Sequence, residues 1–185
     1  VVAETPAGRS LPSGMLDPRP HVGEPLALDL LNTRWIDETG PRDLLTDVAG
    51  LRVWLDAAGL RELPADVRTL TAVRTARDAV HATVVDADHA GLNAVLEHGR
   101  LRRSLTENGP ASTPDVPRQW WLPAWLAAEN LLSLLAEAPE RIRQCAHPQC
   151  VLFFYDTSRN GTRRWHSMTT CGNRTKAARH YARKP

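Results

Sequence analysis

The sequence has no run of 18 apolar residues, which excludes an ordinary membrane-spanning helix. It has only three cysteines, all beyond position 140, an odd number that cannot all pair in disulfides. No charged-then-apolar leader pattern stands at its start. A reducing, cytoplasmic setting is therefore expected, where clustered thiols hold metal more often than they pair. There is no internal repeat and no long low-complexity run. The 185 residues allow one domain of ordinary size and a small appendage. Net charge is only +2, which alone says nothing about partners.

The distribution of charge says more. Residues 141–185 hold ten Lys/Arg and a single acid, Asp156, for a charge of +9. The preceding 140 residues hold 13 Lys/Arg and 20 Asp/Glu, for a charge of −7. An acidic body thus carries a basic end that suits a polyanion. A plain solvated tail would not also carry all three cysteines and two aromatic clusters.

Hydrophobic periodicity predicts a mainly α protein with a small β-hairpin: a helical N-terminal domain followed by a small ββα-like module. Residues 1–24, rich in Pro and Gly, read as irregular, 25–140 as the helical domain, and 141–185 as the module. Helices are expected over 25–33, 43–60, 64–84, 89–100 and 120–138. Gly59 is a stop for the second, and Pro64 fits a first turn. The Glu107-Asn108-Gly109-Pro110 stretch predicts a hairpin turn.

Cys145 and Cys150 are separated by four residues, as are His166 and Cys171. A strand over 151–155 and the Asn160-Gly161 turn would bring the second pair back to the first. The result is a closed Cys3His set, suited to one structural zinc rather than to magnesium or calcium, which take oxygen ligands. His147 is the rival fourth ligand, though Pro148 and the short Cys-to-Cys loop make it awkward. Four protein ligands leave no open position for catalysis, and Asp156 is the only acid nearby, so no enzyme is expected.

These residues resemble the CGNR zinc finger over Cys145 to Lys184. The likeness rests on Cys171-Gly172-Asn173-Arg174, with Asp156-Thr157-Ser158-Arg159-Asn160, Arg163-Arg164-Trp165 and Ser167-Met168. One position departs: the familiar form has cysteine where this chain has His166. Leu28-Asp29-Leu30-Leu31-Asn32-Thr33 resembles the start of the ABATE domain that usually precedes this finger. The resemblance implies a stress-responsive transcription regulator whose finger binds DNA and whose N-terminal domain senses a small ligand.

A helix over 172–184 would carry Arg174, Lys176, Arg179 and Arg183 toward double-stranded DNA, where arginine reads guanine and other cations hold phosphate. Arg159, Arg163 and Arg164 are better placed for phosphate. Asn173 is expected to cap the helix, and Trp165 to pack locally. RNA or protein binding by the same surface, or redox sensing by zinc-bound thiolates, stays open. In the body, Asp29, Asn32 and Thr33 at i, i+3, i+4 would share a helix face, with Arg34 beside them to meet an anionic ligand or Asp37 or Glu38. The competing reading is a set of buried hydrogen bonds that fix helix packing. Trp54, Trp120, Trp121 and Trp125 are expected in the core or at a homodimer contact.

Overall fold

The structure is a computed structural model and describes residues 16–174. Helix α1 is short, Leu26–Leu31. It leads into a hairpin of β1 (Arg34–Asp37) and β2 (Gly40–Asp43), in register Arg34 to Asp43. A 3-10 turn, Leu44–Thr46, joins this to α2 (Val48–Ala57). The long α3 (Val67–Asp86) and the short α4 (Ala90–Leu96) follow. A second hairpin pairs β3 (Arg100–Thr106) with β4 (Gly109–Asp115). Helix α5 spans Leu122–Glu137. Finally β5 (Ile142–Gln144) pairs antiparallel with β6 (Phe153–Tyr155).

Helix limits follow local chemistry. Asp47 and Asp66 sit in extended conformation and accept from Gly50 N and Thr69 N, capping α2 and α3. Gly59, at φ +74°, lets Leu60 N donate to Leu55 O and close the end of α2. Gly50 is required for a different reason: a Cβ there would lie 1.7 Å from the Leu44 carbonyl oxygen. Pro123 occupies the first turn of α5, where its missing N–H costs nothing.

Of the stripe expected along α3, Leu70, Val73, Ala76 and Val80 are buried, Val84 is partly buried, and Val67 in the first turn is exposed. The stripe faces α1, α4 and α5. Trp54 and Trp125 are fully buried, and Trp121 stacks on His98 at 3.6 Å between ring centroids. The same apolar cluster runs on into Leu152 and Phe153 of the C-terminal segment. The basic end therefore shares a core with the acidic body. No described helix is long and apolar enough to cross a membrane.

Several elements differ from expectation. The first helix ends at Leu31, so Asn32 is its C-cap and Thr33 lies beyond it. The hairpin over 34–43 takes the place of irregular chain and of the start of the second helix. Asp43 ends β2 and caps the 3-10 turn through Leu45 N, which delays α2 to Val48. The fourth helix stops at Leu96 and the chain turns into β3 at Arg100, past Gly99, where a Cβ would lie 2.6–2.9 Å from Val116 and Trp125. In the C-terminal segment, β6 pairs upstream with β5 rather than with chain returning after Gly161. Among the described residues the return contributes one backbone bond, Ala146 N to Arg164 O at 2.8 Å, and the helix expected over 172–184 lies almost wholly outside them.

Candidate metal centre and its basic surround

Cys145 and Cys150 sit on the knuckle between β5 and β6. Cys145 N donates to Leu152 O, and Cys150 N to His147 O, both at 2.9 Å. The Ala146–Arg164 bond draws in the segment that bears His166. Cys171 comes from a single wide helical turn, Met168–Gly172, whose first donors are met by the Ser167 hydroxyl through Thr170 N. Ser167 thus caps the start of this turn and exposed Asn173 ends it, while the helix over 172–184 that Asn173 was expected to cap lies almost wholly outside the described residues. The turn presses so tightly on itself that a Cβ on Gly172 would lie 2.7 Å from Met168 Sδ.

One donor atom from each of Cys145, Cys150, His166 and Cys171 falls in a cluster whose members lie within 4.8 Å of one another. His166 Nδ1 is 3.5 Å from Cys150 Sγ. In a tetrahedral zinc site with Zn–S near 2.3 Å, neighbouring donors stand about 3.8 Å apart. The cluster reaches that spacing by side-chain shifts of an ångström or less. Three of the four residues are buried and Cys150 is half-buried.

Electrostatics agree with the donor chemistry. Burial, with the Cys145 and Cys171 thiols beside it, pushes the Cys150 thiol up to about 12. Burial and Cys145 also raise Cys171. Packed thiols stay protonated on their own, and a divalent cation reverses that preference. Burial, then His21 and Arg163, push His166 down to about 4 and hold its imidazole neutral, the form that binds metal. The four residues thus fit one zinc.

His147 is elsewhere engaged: its Nδ1 accepts from Gln149 N at 3.2 Å, and it is not part of the donor cluster. His166→Ala is therefore expected to weaken zinc binding at least tenfold, as loss of a ligand does, roughly the lower end of what second-shell losses alone cause. His147→Ala should change it little, and His166→Cys should retain the metal. Competition titration against a chromogenic chelator measures all three. Equal losses in the two alanine variants would place the fourth ligand on the wrong histidine.

The described part of the segment expected to be irregular, residues 16–24, closes over this centre. The His21 ring lies 4.9 Å from the His166 ring, and His21 Nε2 pairs with Glu24 Oε1 at 2.8 Å. The other Glu24 oxygen accepts from Tyr155 N at 2.8 Å. Nearby, the Arg19 guanidinium is fully buried between Asp17 and Asp29. Sequence reasoning missed these contacts, because nothing local marks a Pro/Gly-rich stretch as a lid.

The basic residues divide into two groups. Arg163 faces inward: it donates to the Trp165 and His166 carbonyls, and its guanidinium lies 4.7 Å over the Phe154 ring. Arg141 and Arg143 likewise donate to the carbonyls of Asp156, Ser158 and Gly161. Buried Asp156 accepts from Ser158 N and Arg163 N. Burial would raise its carboxyl, but these bonds and Arg143 outweigh it and hold the group below its usual range. Arg159, Arg164 and Arg174 are exposed. Lys176, Arg179 and Arg183 lie outside the described residues.

The four residues expected to meet a ligand are placed apart. Asp29 accepts from Arg19 Nη1 at 2.8 Å and Trp54 Nε1 at 3.0 Å. Asn32 clamps the backbone of Phe153, donating to its carbonyl at 2.9 Å and accepting from its N–H at 2.8 Å. Thr33 accepts from Arg77 at 2.8 Å and donates to Leu30 O. Arg34 pairs with Asp78 at 3.0 Å and Asp43 at 3.5 Å, not with Asp37 or Glu38. Asp37 instead holds Arg42.

Two families match the chain. The one described as ABATE, putative stress-induced transcription regulator, covers residues 24–138. The one described as CGNR zinc finger covers residues 141–184. No curated protein matches.

Proposed function

We propose that this chain, which belongs to the ABATE family, is a cytoplasmic transcription regulator that holds double-stranded DNA with a zinc-built C-terminal module. In this reading its helical body senses a small ligand. The observation that carries it is the Cys3His cluster at the head of a segment of charge +9. One zinc closes the knuckle and fixes Cys171 at the base of the chain that bears Arg174, Lys176, Arg179 and Arg183. Exposed Arg159, Arg164 and Arg174 would meet phosphates or base edges, Arg164 from its place over the Trp165 ring. Arg163 acts one step back, holding the loop that carries His166. Four protein donors complete a tetrahedron, so the metal is structural and no reaction is assigned to it.

A single small module buries on the order of 600–1,000 Å² on DNA, so specific reading calls for two copies on two half-sites. The helical body is the natural place for them to meet. Selection from random duplexes, followed by salt titration of the enriched sequences, tests the reading. Affinity should fall with a log–log slope of about 0.9 per phosphate contact. Arg164→Ala should weaken every sequence alike and flatten the slope by about one contact, whereas Arg174→Ala should cost roughly 1–3 kcal/mol at particular base pairs. Tighter binding of structured or single-stranded RNA, with no duplex enriched, would replace this reading with RNA recognition.

A further inference from the structure

A cavity of about 600 Å³ opens where the β1–β2 hairpin, α3 and the C-terminal segment meet. That size lies within the range of small-molecule sites. Its apolar side is built from Leu31, Trp35 and Ile36 of the body and from Val151 and Phe153 of the C-terminal segment. Of the residues first expected to meet a ligand, only Arg34 lines it.

The polar side is cationic. Arg34, Arg42 and Arg77 line the cavity against one carboxylate, Asp43. Arg77 takes both Asp43 oxygens, at 2.6 and 2.8 Å, and Arg34 Nε reaches one of them only at 3.5 Å. The Arg77 Nε–H is buried without an acceptor among the described residues. Arg34 and Arg42 have side chains 48% exposed, and their partners Asp78 and Asp37 are 62% and 38% exposed. Ion pairs so open to water contribute little and exchange readily for a better-placed anion. An apolar wall facing two loosely held guanidinium groups fits a molecule with an apolar body and one carboxylate.

The placement has a consequence for the metal centre. Gln144 and Val151, both in the cavity wall, directly precede Cys145 and follow Cys150. An occupant therefore touches both ends of the knuckle that carries two donors.

We propose that this cavity binds a small apolar monocarboxylate, and that its occupancy is felt by the metal-holding knuckle. This rests on the ligand-sensing reading of the body and is independent of the DNA reading. The test uses zinc-loaded full-length chain with benzoate, 2-naphthoate and octanoate, and with 2-naphthylmethanol as the neutral analogue of naphthoate. At least one carboxylate should bind one per chain, with a dissociation constant below about 1 mM. For the naphthyl pair the alcohol should be about tenfold weaker or more, the loss of a charge-assisted bond. Ile36→Glu, at a side chain 43% exposed, should remove binding while leaving zinc content, circular dichroism and ligand-free DNA affinity unchanged. Amide exchange over 144–152 should slow when the carboxylate saturates the chain. Absence of binding by all three carboxylates would overturn the proposal. So would an alcohol as tight as naphthoate, an Ile36→Glu variant that still binds, or unchanged exchange at the knuckle. Failure to bind DNA would leave the carboxylate result intact, so the two readings fall separately.

Discussion

Cys145→Ser, or a strong chelator added to the native protein, is expected to remove the metal and unfold the C-terminal segment while the helices persist. The segment is short and its apolar content is spent mostly on the body: Leu152 and Phe153 belong to the body's cluster rather than to a core of its own. Among the described residues, the loop carrying His166 and the turn carrying Cys171 are held by one backbone bond to the knuckle, scattered side-chain bonds from Arg141, Arg143, Asp156 and Arg163, the His21 ring and the shared donor cluster. Metal binding supplies on the order of 10 kcal/mol in comparable zinc modules, far more than these contacts together. Amide exchange should therefore accelerate across 156–174 by several orders of magnitude, and across α3 and α5 hardly at all. DNA affinity should vanish with it. Retained protection in the chelated protein would mean that packing, not metal, builds the segment.

The second large effect is expected at Asn32, 121 residues from its partner. Its side-chain amide satisfies both backbone groups of Phe153, in a position fully closed to water. Asn32→Ala leaves a buried N–H and a buried C=O without partners, each costing about 1–3 kcal/mol. A loss of roughly 2–4 kcal/mol lowers the melting temperature by about 5–15 °C in a chain of this size. Asn32→Asp should be no better, because it keeps the shape but loses the donor to the Phe153 carbonyl. Differential scanning calorimetry without any ligand measures both. An unchanged melting temperature would return Asn32 to the role of a ligand contact.

These two residues show what the sequence made legible and what it hid. The metal donors were readable because thiols and imidazole are rare, chemically specific and spaced in two equal pairs. Helix α3 was readable because Leu70, Val73, Ala76 and Val80 repeat at the helical period, and the β3–β4 turn because Glu107-Asn108-Gly109-Pro110 is a turn signal between two short segments, with Gly109 at φ +102°. Asp29, Asn32 and Thr33 stood out as polar residues in an apolar run, yet their partners, Arg19, Phe153 and Arg77, lie 10 to 121 residues away. No local pattern encodes such pairings. The β1–β2 hairpin was hidden for a different reason. Its strands are four residues long, and the Gly40-Pro41 break was the one signal that could have revealed it. Arg163 looked like a phosphate ligand because charge is visible in sequence, whereas the carbonyls of Trp165 and His166 that occupy it are not.

Zinc K-edge X-ray absorption of the protein purified under reducing conditions tests the closed centre most directly. One zinc per chain is expected, with three sulfur scatterers near 2.3 Å and one nitrogen at about 2.0–2.1 Å. Loss of the nitrogen shell in His166→Cys, with a fourth sulfur in its place, would assign that nitrogen. A spectrum with oxygen in the first shell, two sulfurs only, or no bound zinc at all would contradict the closed Cys3His centre.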